Sequence, residues 1–152
     1  MVKLYLKYDG SYSNDDVENN NTEFQRGLKE GRPDLMQILI KSVMLWFGTV
    51  IFARDMSTLV KQALTEEAVY RIKNIEIVSH SMKRVLSQED VGFDEEHEAV
   101  ISFDFPLPEN TNEEKFLSEF DKAFYSSSNE FVEWAWSDLN YQMTTIKCMK
   151  LN

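Results

Sequence analysis

Residues 99–105 read Ala-Val-Ile-Ser-Phe-Asp-Phe, and this stretch decides the fold class. Ala99, Ile101, Phe103 and Phe105 alternate with Val100, Ser102 and Asp104. A period of two predicts a strand with one buried face. Pro106 and Pro108 follow at once and end it, because proline brings no donor to a strand ladder. Upstream, Ile75 to Val85 is rich in β-branched residues and predicts a second strand, although its alternation is imperfect. Residues 86–97, between the two, read as an acidic loop. Downstream, Thr111-Asn112-Glu113-Glu114 matches the capping box T-x-x-E. It opens a helix whose apolar face is Phe116, Leu117, Phe120 and Phe124.

The same periodicities organise the rest of the chain. Val2, Leu4, Leu6 and Tyr8 alternate with Lys3, Tyr5 and Lys7, which predicts a first strand. Asp9-Gly10 reads as a turn, residues 11–22 as an exposed polar loop, and Thr22 as the cap of a short helix ending at Glu30. Pro33 suits the first position of a helix. That helix runs to about Phe47 and is weakened at Gly48, leaving 49–54 open between helix and strand. Asp55 or Ser57 then caps a helix to about Lys73, with Val60, Leu64, Ala68 and Ile72 at steps of four. Ser127-Ser128-Asn129-Glu130 predicts one more helix, with a hairpin through Trp134 and Trp136 as the rival. Tyr141 to Met149 closes the chain as a strand.

The expected fold is therefore α+β. It is one domain over 1–152, with an antiparallel sheet of about four strands in β-α-β-β-α-β order, ferredoxin-like or a variant, and helices on one face. Many functions share that plan, so it selects none.

Composition excludes several chemistries. The lone cysteine, Cys148, makes no intramolecular bridge and belongs to no zinc spacing, which favours a reducing, cytoplasmic setting. Residues 35–53 are long and apolar, but Gln37 and Lys41 interrupt them, so a buried helix with one wet stripe is expected and not a membrane span. The five glycines never fall in G-x-G or P-loop spacing. Of the two histidines, His80 lies between Ser79 and Ser81 with no nucleophile-elbow pattern. His97 sits in the run Asp94-Glu95-Glu96-His97-Glu98, where carboxylates would favour its protonated form. Neither supplies a catalytic motif, and no metal or cofactor is expected.

Charge is the remaining signal. Residues 1–85 hold 12 Lys/Arg and 11 Asp/Glu, whereas residues 86–152 hold 4 Lys and 15 Asp/Glu. Such a half repels phosphate backbones and attracts basic surfaces. All 15 of these carboxylates fall in 86–138, together with ten aromatic residues. Small acidic inhibitors, among them immunity proteins and DNA mimics, share that composition. The expected function is non-enzymatic binding to a basic protein surface, one that itself binds nucleic acid. Glu89, Asp90, Asp94, Glu95, Glu96, Glu119 and Asp121 would make the contact, with Trp134 or Trp136 as anchor. The alternatives are a self-assembling subunit that uses 35–53 and a small metal-assisted hydrolase.

Overall fold

The computed structural model describes residues 1–12, 20–53, 58–86, 93–126 and 143–149. The two alternating stretches meet as their periodicity requires. Strand β1 (Val2–Tyr12) pairs antiparallel with β3 (Phe93–Phe105). Val2 lies opposite Phe105, Leu4 opposite Phe103, Leu6 opposite Ile101 and Tyr8 opposite Ala99. All of these side chains are buried, so the pair presents one continuous apolar face. Strand β2 (Lys73–Leu86) pairs antiparallel with the other side of β3, giving a small three-strand sheet in the order β2-β3-β1. Met143–Met149 forms β4 and runs antiparallel along β1.

Among the described residues, five α-helices complete a mixed α+β fold: α1 (Asn20–Glu30), α2 (Gln37–Ala53), α3 (Thr58–Ala63), α4 (Glu66–Tyr70) and α5 (Glu113–Ser126). Their apolar side chains share one core with the inner face of the sheet. Tyr8 of β1 meets Phe24 of α1 at 4.5 Å between ring centroids. A chain of rings then runs from Phe105 through Phe116 and Phe120 to Phe47, at 6.3, 5.5 and 5.0 Å. This chain ties β3, α5 and α2 together, and ring burial of this kind dominates core energetics. No described helix is long and apolar enough to cross a membrane.

Several local expectations are corrected. Asp9-Gly10 makes no turn: β1 continues to Tyr12, with Asp9 opposite Glu98 and Gly10 opposite His97. The glycine instead marks a register shift against β4, the usual meaning of glycine inside a strand. Thr22 lies inside α1, which begins at Asn20. That helix ends where Gly31 turns left-handed at φ 66° and the Arg32 N–H reaches back to the Gly27 carbonyl at 2.8 Å. Glycine is favoured there because that backbone conformation strains an L side chain, although a Cβ would meet no neighbour within 4 Å.

Pro33 opens a 3-10 turn, Pro33–Leu35, and α2 starts only at Gln37. Gly48 does not weaken that helix, which runs on to Ala53. A Cβ at Gly48 would sit 3.1 Å from the Leu64 carbonyl oxygen, so the glycine lets α2 pass close to the chain after α3. The helix expected to reach Lys73 is broken, because Thr65 leaves helical geometry (φ −84°, ψ 155°) and accepts the Ala68 N–H at 3.1 Å to cap α4. The alternative caps Asp55 and Ser57 lie outside the described residues.

The capping box is displaced by one residue. Thr111 donates its hydroxyl to the Pro108 carbonyl at 2.7 Å, and Asn112 Oδ1 accepts the Lys115 N–H at 3.0 Å. Asn112 is therefore the cap of α5. The expected acidic loop also shrinks, because β3 already begins at Phe93. The helix or hairpin expected around Trp134 and Trp136 lies outside the described residues.

Candidate functional site: a buried histidine pair

The inner face of β3 changes character along its length. Phe105, Phe103, Ile101 and Ala99 are followed, still at steps of two, by His97 and Glu95. Both are buried, and His97 is completely shielded from solvent. The expectation that His97 belongs to a solvated acidic loop is thus overturned. Its place in a paired strand puts it on the core side.

On β2 a bulge decides what His97 meets. Ile77 pairs with Ile101, but Ser79 pairs with Val100, so the register shifts between them. An extra residue in one strand switches which face every later side chain occupies. His80 consequently joins Ile77 on the inner face, while Ser79 and Ser81 turn to the outer one. The geometry removes the Ser–His nucleophile pairing that the run Ser79-His80-Ser81 could suggest.

The two histidines of the chain meet here, with His80 Nε2 at 2.9 Å from His97 Nδ1. Their rings are nearly coplanar at 7°, with centroids 5.1 Å apart. The short N···N distance at that centroid separation means edge-to-edge hydrogen bonding in one plane, not face stacking. Beyond His97, Nε2 faces Glu95 Oε2 at 3.4 Å, and Lys29 Nζ of α1 straddles the same carboxylate at 3.1 and 3.0 Å. The order of groups is Lys29, Glu95, His97, His80.

The approach of His97 Nε2 to Glu95 Oε2 is an electrostatic contact with no hydrogen bond made, and charge favours one placement of the protons along this row. A carboxylate cannot donate, so the attractive arrangement puts the N–H of His97 on Nε2, toward Glu95. Nδ1 of His97 then offers its lone pair, and His80 Nε2–H donates into it. Burial pushes His97 below the ordinary histidine value, and the neighbouring His80 lowers it further, against the upward pull of Glu95. Burial alone lowers His80. Both rings are therefore neutral at pH 7, opposite to the protonated state expected from the acidic run. For Glu95, burial would raise the carboxyl, but Lys29 and then His97 outweigh it and hold it below its usual range.

A pH dependence follows. Each histidine is depressed in the folded state, so the unfolded chain binds more protons below pH 6.5. The stability these groups contribute is complete above that value and is lost as the pH falls through the folded values. The depressed Glu95 adds a second loss below 4.5, in the same direction. Urea midpoints measured from pH 7.5 to 4 should fall steadily on acidification. A His97→Gln variant, free of the pair, should show a shallower fall between 7 and 5.

The expected contact residues disperse. Glu95 is turned inward and held by Lys29, which removes it from any partner surface. Glu96 is half-buried on the outer face and ion-pairs with Lys83 at 3.4 Å. Asp94 lies opposite Val85 in the ladder, while Glu119 and Asp121 are half-buried on α5. Glu89, Asp90, Trp134 and Trp136 lie outside the described residues. Sequence reasoning missed the pairing of His80 with His97, and Lys29 with it. Part of the signal was present: carrying the alternation of 99–105 backward by four residues places His97 and Glu95 on the core side.

The chain matches no known protein family, no curated protein and no solved structure. Among the described residues no group of three His, Cys, Asp or Glu is placed to hold a metal ion.

Proposed function

We propose that this chain is a non-enzymatic binding protein that docks a basic surface of a partner protein against the sheet face opposite its core. The observation that carries the reading is that face. Lys7, Ser79, Ser81, Lys83 and Glu98 are exposed on it. Along β2 and β3 runs a groove of ≈ 340 Å³, lined by Ser81, Lys83, Glu96 and Glu98 of this face and also by Met82. Beside it, a depression of ≈ 260 Å³ is lined in part by Lys7, Ser79, Glu98 and Val100. Lys83 is matched by Glu96 on this face, and Glu98, continuing the acidic run 94–98, would speed encounter with a cationic patch.

The finer fold belongs to the same reading. The pairing of β4 with β1 supports a four-strand sheet, β2-β3-β1-β4, which is the ferredoxin-like order. In that plan the open face is the natural docking platform. The self-assembly alternative has less to draw on, because Leu39, Ile40, Val43, Met44 and Phe47 of α2 are buried in the chain's own core.

The test is charge reversal. Glu89→Lys, Glu96→Lys and Glu98→Lys together should weaken capture of basic, nucleic-acid-binding proteins from a lysate by roughly tenfold or more, and the wild-type capture should fall steeply with salt. Circular dichroism should show the fold unchanged. Capture that survives all three reversals would leave these carboxylates with a solubilising role only.

A further inference from the structure

Two features around the histidine pair point to a chemistry beyond protein docking. The first is Met82, whose side chain is 43% exposed although methionine gains from burial. Two residues after His80 on a strand, it shares His80's face, and in the ladder it lies directly opposite His97. Cross-strand partners place their Cβ atoms about 4.5–5.5 Å apart, within reach of a flexible thioether. The second is the direction of the imidazoles. His80 Nε2 and His97 Nδ1 point at each other, while the far nitrogen of His97 faces a carboxylate that is itself anchored by Lys29. An imidazole backed in this way is the arrangement that orients a histidine toward a metal.

We propose that His80, Met82 and His97 form a binding site for a soft monovalent cation of the Cu(I) type. Two neutral imidazoles and a thioether are a donor set for a soft ion, and oxygen-seeking cations such as Mg²⁺ or Ca²⁺ have no use for it. The ion takes the place of the proton now shared by the rings. That proton leaves His80 Nε2 and is carried by solvent to His80 Nδ1, so the net proton count is unchanged and no electron moves. Metal–imidazole bonds of about 2.0–2.1 Å require the two nitrogens to separate beyond their present spacing. His80 can supply that movement by side-chain rotation, because it is only half-buried and sits on the edge strand β2. His97, enclosed and backed by Glu95, is the fixed ligand. Glu95 stays outside the ligand set and fixes the His97 tautomer.

The experiment is an anaerobic competition in which a chromogenic Cu(I) chelator is titrated with full-length protein carrying Cys148→Ser, so that the thiol cannot compete. The protein should withdraw one equivalent of Cu(I), and the ¹H and ¹⁵N resonances of both imidazoles should shift together. Met82→Leu should weaken the site by roughly tenfold or more, and His80→Asn should abolish it. Both positions are at least partly solvated, so the variants can be confirmed as folded by circular dichroism. Failure to withdraw Cu(I), or equal retention by the folded Met82→Leu and His80→Asn variants, would overturn the assignment. So would binding of one equivalent of Zn(II), as tight as Cu(I) and indifferent to Met82→Leu, because the thioether would then have no part in it.

Discussion

Truncating Phe120 to alanine is expected to destabilise the protein by about 3–5 kcal/mol, the range for removing a buried phenylalanine. Phe120 is the middle of the ring chain, 5.0 Å from Phe47 and 5.5 Å from Phe116. Its loss opens a cavity between α2 and α5 that neither helix can fill without moving the other. Since domains of ordinary size have only about 5–15 kcal/mol in hand, the urea midpoint should fall sharply. Phe120→Leu, which keeps most of the volume, should cost much less. Equal costs for the two substitutions would mean that the site relaxes freely and that the ring chain does not organise the core.

The second large effect concerns the charged end of the histidine row. Lys29→Met leaves the Glu95 carboxylate buried without its counter-ion and should cost about 1–3 kcal/mol at pH 7. Breaking a fully enclosed pair costs about 3–5 kcal/mol. The smaller figure applies because the Lys29 side chain is 42% exposed and the Glu95 side chain 11%. Glu95→Gln alone should cost less, because Lys29 can turn to water. Adding Lys29→Met to Glu95→Gln should therefore cost almost nothing more. Strict additivity of the two substitutions would show that they do not act as a pair.

These expectations mark where the sequence was legible. The faces of β1 and β3 were readable because each has an uninterrupted period of two, and Phe116 and Phe120 because helical spacing followed a capping signal. Asp9-Gly10 misled because the same dipeptide serves a turn and a bulge, and only the partner strands tell which. Thr111 and Asn112 are both competent caps. The choice fell to Asn112 once the Pro108 carbonyl had taken the threonine hydroxyl. The break at Thr65 was hidden by apolar residues that continue at steps of four across it.

The histidine pair was the hardest feature to read, for a definite reason. Counting by twos from Ile75 and Ile77 places Ser79 on the core side and His80 in solvent. The bulge after Ile77 reverses this, and bulges leave almost no mark in a sequence. His97 was more accessible to reasoning, but the surrounding carboxylates drew attention to charge and away from alternation. The acidic half of the chain is thereby divided in use. Glu95 serves the interior, Glu96 is matched by Lys83, and Glu98 remains exposed on the open sheet face.

His80 and His97 form one hydrogen-bonded unit with Glu95 behind it. ¹⁵N NMR of the imidazole nitrogens at pH 7 addresses this directly. Two neutral rings are expected, with His97 protonated at Nε2, His80 protonated at Nε2, and a through-hydrogen-bond coupling between His80 Nε2 and His97 Nδ1. Two freely exchanging imidazoles with mixed tautomers, no coupling, and no response of one ring to substitution of the other would contradict it.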